Sequence, residues 1–189
     1  MSSSQKTRLR AKLKAIRATA SAARPDASEK LIDAFPASHY DWQSRVVAGY
    51  YPIGSEIDPR PLLRHLQALG AQLALPRITP DGPVDFHRWT FGEALQKGQF
   101  GLQEPYGHAA LIRPDFILVP LLGVDRQGHR LGYGQGHYDR TLSNLRQTGD
   151  VIACGIGYFE QIQATLPIEP HDEKLDWLVT DECAILFAE

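Results

Sequence analysis

The run from Arg45 to Leu75 constrains the fold more than any other part of the chain. It opens on RVVAGYY, a β-branched and aromatic segment that reads as a buried strand stopped by Pro52. Asp58 then stands as a cap before Pro59, the first residue of a helix with Leu62, Leu63, Leu66 and Leu69 on its apolar face; Gly70 ends it. Ala71 to Leu75 reads as the next strand, before Pro76. Such a strand–helix–strand unit belongs to a parallel sheet flanked by helices, because parallel neighbours need a long crossover.

The rest of the chain keeps this alternation. Leu9, Leu13 and Ile16 give an N-terminal helix its apolar stripe, with Lys6, Arg10 and Arg17 together on one flank. A short helix is expected over Ala27 to Phe35, and Val84 to Trp89 alternates like a strand. Phe91 to Lys97 reads as one or two helical turns and Gln103 to Pro114 as loop. Phe116 to Leu122 is the strongest strand, followed by a glycine-rich loop and a helix from about Tyr138 to Arg146. Val151 to Gly157 and Ala184 to Phe187 complete the strands. No repeat or linker divides the chain, so one α/β domain over residues 1–189 is expected, with helices on both sheet faces.

Composition sets limits. A chain of 189 residues, 43% hydrophobic and 22% charged, builds its core without disulfides or a structural metal. The net charge of −2 argues against a dedicated nucleic-acid binder. Residues 1–24 are nevertheless basic, with Lys6, Arg8, Arg10, Lys12, Lys14, Arg17 and Arg24 and no acid. A transit peptide and a nucleic-acid arm are alternatives there, but the periodicity favours a helix of the folded domain. The longest apolar run, Phe116 to Val124, is too short for a bilayer, and no secretory signal is visible. Cys154 and Cys183 sit in apolar runs as expected buried thiols. A cytoplasmic monomer without membrane or nucleic-acid partners is the expectation.

The chemistry concentrates in GHRLGYGQGHYDR, residues 128–140. Gly128, Gly132, Gly134 and Gly136 lie between a buried strand and a helix, where open α/β sheets bind ligands. Glycines let backbone N–H groups approach an anion, and the helix start adds positive potential. Arg130 and Arg140 can pair with phosphate oxygens, and Asp139 can hold Mg²⁺. The segment is neither a P-loop nor G-x-G-x-x-G, and a glycine-rich hairpin is the competing reading. Glu56 follows the first strand at the same carboxyl edge, Asp172 lies in a late loop, and Phe100, Tyr50, Tyr51 and Tyr133 offer stacking surfaces. If the first strand reaches Tyr51, strand alternation lets only one of Tyr50 and Tyr51 face a given pocket. No nucleophile elbow or zinc pattern is present.

These segments together resemble the 5-formyltetrahydrofolate cyclo-ligase (5,10-methenyltetrahydrofolate synthetase) family. The signature is PDFILVPLLGVDRQGHRLGYGQGHYDR, residues 114–140, supported by Lys6-Thr-Arg-Leu-Arg10, Ser-Glu56-Ile-Asp, Gly101-Leu-Gln-Glu-Pro105 and LPIEPHDEKLDWLVTDE. The resemblance implies a three-layer α/β/α sandwich with a mostly parallel sheet. It also implies that ATP phosphorylates the formyl oxygen of 5-formyltetrahydrofolate, after which the anilinic nitrogen closes the ring and ADP and phosphate leave. The implied nucleotide contacts are Lys6, Arg10 and Arg130, Leu131, Gly132, Tyr133, Gly134, Gln135, Gly136, His137 and Tyr138, with Arg130 and Tyr138 as catalytic residues. The implied folate contacts are Tyr51, Glu56, Phe100 and Tyr133 to His137, and the magnesium carboxylates Asp139 and Asp172. Gln135 departs from the usual Gly or Lys, and His137 from the usual Tyr or Phe. Two other readings stand beside this one: a sugar-phosphate isomerase or CoA-transferase-like enzyme, for which no base or carboxylate nucleophile can be singled out, and a non-catalytic nucleotide- or RNA-binding protein.

Overall fold

The computed structural model describes residues 3–78 and 82–187, without the side chains of residues 3, 4 and 100. In chain order its helices and strands are α1 (Ser3–Ala23), α2 (Ala27–Ala34), β1 (Val46–Ala48), α3 (Arg60–Ala68), β2 (Gln72–Ile78), β3 (Val84–Arg88), β4 (Gln96–Lys97), β5 (Gln103–Glu104), β6 (Phe116–Pro120), β7 (Gly123–Asp125), β8 (Arg130–Leu131), α4 (His137–Thr148), β9 (Ile152–Gly157), β10 (Ile162–Gln163), β11 (Trp177–Thr180) and β12 (Ala184–Leu186).

The main sheet runs β12-β11-β9-β6-β1-β2-β3. Its five inner strands are parallel, and both edge strands are antiparallel to their neighbours. α2 and α3 cover one face: Leu31, Leu62, Leu63 and Leu66 pack on Val47, Leu73, Phe116 and Leu118. Each such buried leucine contributes about 2 kcal/mol. α4 covers the other face through Leu142, against Ile117, Val119 and Ala153. The α/β/α layering therefore follows from strands that are apolar on both faces.

Several elements differ from the sequence expectation. β1 stops at Ala48 rather than Tyr51, so alternation no longer governs Tyr50 and Tyr51. β2 runs through Pro76, which pairs with Phe86 on β3. The strand tolerates the proline because β1 ends opposite Ala74, and the prolyl nitrogen faces no partner strand on that side. Phe91 to Lys97 is not helical: a turn at Thr90–Glu93 leads into β4, which pairs with β5 inside the expected loop. β11 was not legible as a strand because it is only four residues long, bounded by Asp176 and Asp181, yet it is fully buried between β9 and β12. Cys154 is buried as expected, whereas Cys183 is only half-buried; both are free thiols.

The glycine-rich segment divides in two. Gly128 belongs to the β7–β8 hairpin, whose turn is organised by the Asp125 carboxylate accepting the N–H groups of Gln127 and His129. Only Gly132 to Gly136 form the open loop that feeds α4. The hairpin reading thus applies at Gly128, and the phosphate reading rests on Gly132 to Gly136.

Candidate functional site

β1 passes to β2 on one side and lies beside β6 on the other, so the chain order reverses at this strand pair. Beyond the carboxyl ends of β1, β2 and β6 opens a cleft of about 420 Å³. This is where the topology of an open α/β sheet leaves room for a ligand.

One wall is the glycine loop and the start of α4. Gly136 caps α4 in the left-handed conformation, at φ +65°, and no side chain caps the helix. Gly136 to Asp139, the start of this helix, line the cleft, and a helix N-terminus favours negative charge. Gly134 also has a positive φ, +97°, and a Cβ there would lie 2.9 Å from Arg10 Cζ. Arg10 reaches over the loop and donates from Nε to the Gly132 carbonyl at 3.1 Å. Lys6, one turn earlier on α1, also lines the cleft and pairs with Glu169 at 2.8 Å. Lys6 holds the Glu169 carboxyl below its ordinary range.

Arg130 stands at the base of this wall. Its Nη2 donates to Asp139 Oδ1 at 2.8 Å, and its Cζ lies 5.5 Å from the centre of the Tyr138 ring. Its Nε is buried without a hydrogen-bond partner among the described residues. An orphaned guanidinium N–H is costly unless something else accepts it. Burial, reinforced by the charge of Glu56, pushes the Tyr138 phenol well up, so it stays protonated. Leu131 lines the cleft, but its side chain packs with Leu13, Leu122 and Leu166, which leaves its backbone for any ligand contact.

The opposite wall follows β1. Glu56 is buried; Oε2 accepts the Ile53 N–H at 2.8 Å and Oε1 accepts the Tyr133 hydroxyl at 2.6 Å. Burial and the nearby Glu56 charge push the Tyr133 phenol up to about 12, so it remains a donor across neutral pH. Tyr51 lines the cleft with Arg60 over its ring at 4.9 Å, and Tyr50, buried with its hydroxyl on the Ile57 carbonyl, lines it too. The expectation that only one of this pair can face the pocket fails because the strand ends before them.

Lys6, Arg10, Tyr51, Glu56, residues 130–139 and Asp172 therefore meet in one cleft. The side chain of Phe100 lies outside the described residues; Leu102 and Gln103, just after its turn, line the cleft. His137 Nδ1 lies 3.3 Å from the Gly82 carbonyl, and Gln135 is exposed on the loop. Asp172 does not join Asp139 in one ligand set: it clusters with Glu169 and His171, and its Oδ2 accepts the Glu169 N–H at 2.7 Å. The residue missing from the expected site is Arg17, which contacts Glu56 and Tyr133 from behind. Its place on the flank shared with Lys6 and Arg10 was the available signal.

The chain is similar to proteins of known class. Residues 2–181 match the family model described as the 5-formyltetrahydrofolate cyclo-ligase family. A 5-formyltetrahydrofolate cyclo-ligase of Mycolicibacterium smegmatis is 36% identical over 151 residues, covering 75% of this chain and 76% of that one. One from Haemophilus influenzae is 28% identical over 182 residues, covering 93% and 97%. The solution structure of Aquifex aeolicus 5,10-methenyltetrahydrofolate synthetase superposes with a TM-score of 0.78 at 28% identity, covering 97% of this chain and 93% of that one.

Proposed function

The chain belongs to the 5-formyltetrahydrofolate cyclo-ligase family, and we propose that the cleft beyond β1, β2 and β6 performs the whole ring closure within one chain. The enzyme uses ATP to convert 5-formyltetrahydrofolate to 5,10-methenyltetrahydrofolate. The amide-like formyl oxygen is a poor leaving group. It attacks the γ-phosphorus and ADP departs. The anilinic nitrogen then bonds to the formyl carbon, loses its proton, and the oxygen leaves with phosphate. No protein nucleophile is required, so catalysis is positioning and charge stabilisation.

The observation that carries this reading is Arg130, whose buried Nε, without a partner among the described residues, sits beside a helix start that no described side chain caps. Lys6, Arg10, Arg130 and the amides of residues 132–138 hold the polyphosphate, with Arg130 and the protonated Tyr138 nearest the transferring group. Tyr51, Glu56 and Tyr133 receive the folate, and Phe100 is assigned to it on the family pattern alone. Gln135 and His137 line the junction between the two substrates.

Asp139 offers a hard oxygen donor of the kind Mg²⁺ takes with phosphate and water, and Asp172 offers one in its separate cluster with Glu169 and His171. Asp139 shares its Oδ1 with Arg130, so a cation there competes with a guanidinium. When bound, Mg²⁺ neutralises charge on the phosphates. The free thiols Cys154 and Cys183 favour a reducing compartment such as the cytoplasm. Lys6, Arg10, Arg17 and Arg24 are engaged by the fold itself, which favours a basic helix of the enzyme over a nucleic-acid arm.

The test is a spectrophotometric assay of purified protein with 5-formyltetrahydrofolate, Mg²⁺ and ATP. ATP-dependent appearance of the methenyl absorbance is expected. Absence of product from folded protein that still binds ADP would overturn the substrate assignment.

A further inference from the structure

Among the described residues Arg17 is the most deeply buried arginine or lysine, at 2% exposure. It does not line the cleft. Buried charges are costly unless fully paired, so such a residue is kept for what it holds. Its Nη1 donates to the Tyr133 hydroxyl at 2.6 Å and lies 3.4 Å from Glu56 Oε1, while Nε donates to Ser55 Oγ at 3.2 Å. The guanidinium also lies 5.5 Å from the centre of the Tyr133 ring. Thus one group on α1 grips the loop after β1 and the glycine loop before α4 at once.

We propose that Arg17 is a positioning residue for the folate side of the reaction, acting through Glu56 and Tyr133. The inference rests on the reading of Glu56 and Tyr133 as folate contacts. Glu56 already accepts the Ile53 N–H and the Tyr133 hydroxyl, and this fixes the carboxylate plane. Arg17 orients the Tyr133 hydroxyl so that its proton points to Glu56 and its ring, 42% exposed, stays at the cleft wall. Without the guanidinium, the hydroxyl loses its donor and Glu56 loses its only described cationic partner. The phosphate contacts proposed for Lys6, Arg10, Arg130 and the loop amides stay in place, because Arg10 still holds the loop at the Gly132 carbonyl.

Steady-state kinetics with both substrates test this on Arg17→Met, Arg17→Lys, Glu56→Gln and Tyr133→Phe. Losing a buried charge-assisted hydrogen bond is expected to raise the KM for 5-formyltetrahydrofolate about ten-fold or more in Arg17→Met, with the KM for ATP within about two-fold of the parent. Arg17→Lys, which cannot grip both loops, should show the same split at smaller size. The Arg17→Met/Tyr133→Phe pair should lose no more than the worse single variant, because both act on one connection. A general structural defect would instead move both KM values together, and that outcome overturns the proposal. So does a raised folate KM in Glu56→Gln with none in Arg17→Met. If Glu56→Gln itself leaves the folate KM unchanged while turnover persists, the folate reading of Glu56 fails and the role of Arg17 falls with it. Should Arg17→Met not fold, Arg17→Lys decides: an unchanged folate KM overturns the proposal.

Discussion

Gly132 and Gly134 stand two residues apart, and their surroundings differ in a way that separates folding from binding. At Gly134 a side chain meets a positive φ and the Arg10 guanidinium, so Gly134→Val costs roughly 1–3 kcal/mol in backbone strain before any ligand is considered. At Gly132 a Cβ meets nothing within 4 Å, and the backbone is not in the left-handed region. Gly132→Ala should therefore melt at or slightly above the parent temperature, since the substitution only stiffens the unfolded chain. If phosphate approaches the Gly132 backbone, the same variant should raise the KM for ATP about ten-fold. An unchanged KM would make that stretch of the loop a turn only. Asp139 separates in a similar way. Asp139→Asn keeps a hydrogen-bond acceptor for Arg130 but removes the charge, so turnover should fall by about two orders of magnitude at saturating ATP. Wild-type rates with excess Mg²⁺ would end its role as a metal carboxylate.

Among the elements, α1 carries the site across the molecule. Its last turn leads to Arg24, which ion-pairs with Glu160 and with Asp181, the latter buried, at the end of β11. Leu13 packs with Leu122, Leu131 and Leu166 in the small core. With those anchors behind them, Arg10 reaches the glycine loop and Lys6, one turn away, lines the same cleft on Glu169. Lys6→Ala and Arg10→Ala should each raise the KM for ATP more than that for folate, in the same assay; an effect confined to folate would contradict the phosphate assignment. Periodicity made α1 and α3 legible, because a stripe such as Leu9, Leu13 and Ile16 repeats over several turns, while α2 was legible from the stop at Pro36. The same holds for β6 and β9, long enough and apolar enough to be read singly. Short pieces were not legible: β4, β5, β8 and β10 are two residues each, and only their partners make them strands. At the site, the residues carried by the glycine motif could be read in order. Arg17 could be placed on the right flank, but nothing in a linear sequence shows that β1 and the glycine loop converge on it.

Across the whole molecule, the parallel sheet fixes the floor of the cleft while the β7–β8 hairpin supplies Arg130 and the root of the glycine loop. The sheet is held largely by burial, with Asp115 and Asp176 accepting N–H groups at the starts of β1 and β9; the turn of the hairpin is held by a carboxylate. Asp125 Oδ1 accepts the N–H groups of Gln127 and His129 at 2.9 and 3.0 Å, and Oδ2 accepts the Leu166 N–H at 3.2 Å. Burial opposes ionisation of this group, yet these donors and His129 hold its pKa below the ordinary carboxylate value. A pKa depressed by folding gives stability that is complete above the unfolded value, near 4, and is lost as pH falls through the folded value. Asp125→Asn should therefore melt below the parent at pH 7, and the gap should narrow as the pH is lowered below about 4. Thermal melts of both proteins from pH 7 to the acid limit check this, and a gap independent of pH would mean that the charge of Asp125 does not hold the hairpin. Because Arg130 sits on β8, that acid loosening should reach the nucleotide wall before the sheet: ADP affinity should fall at a pH where the melting of the main sheet is still unchanged.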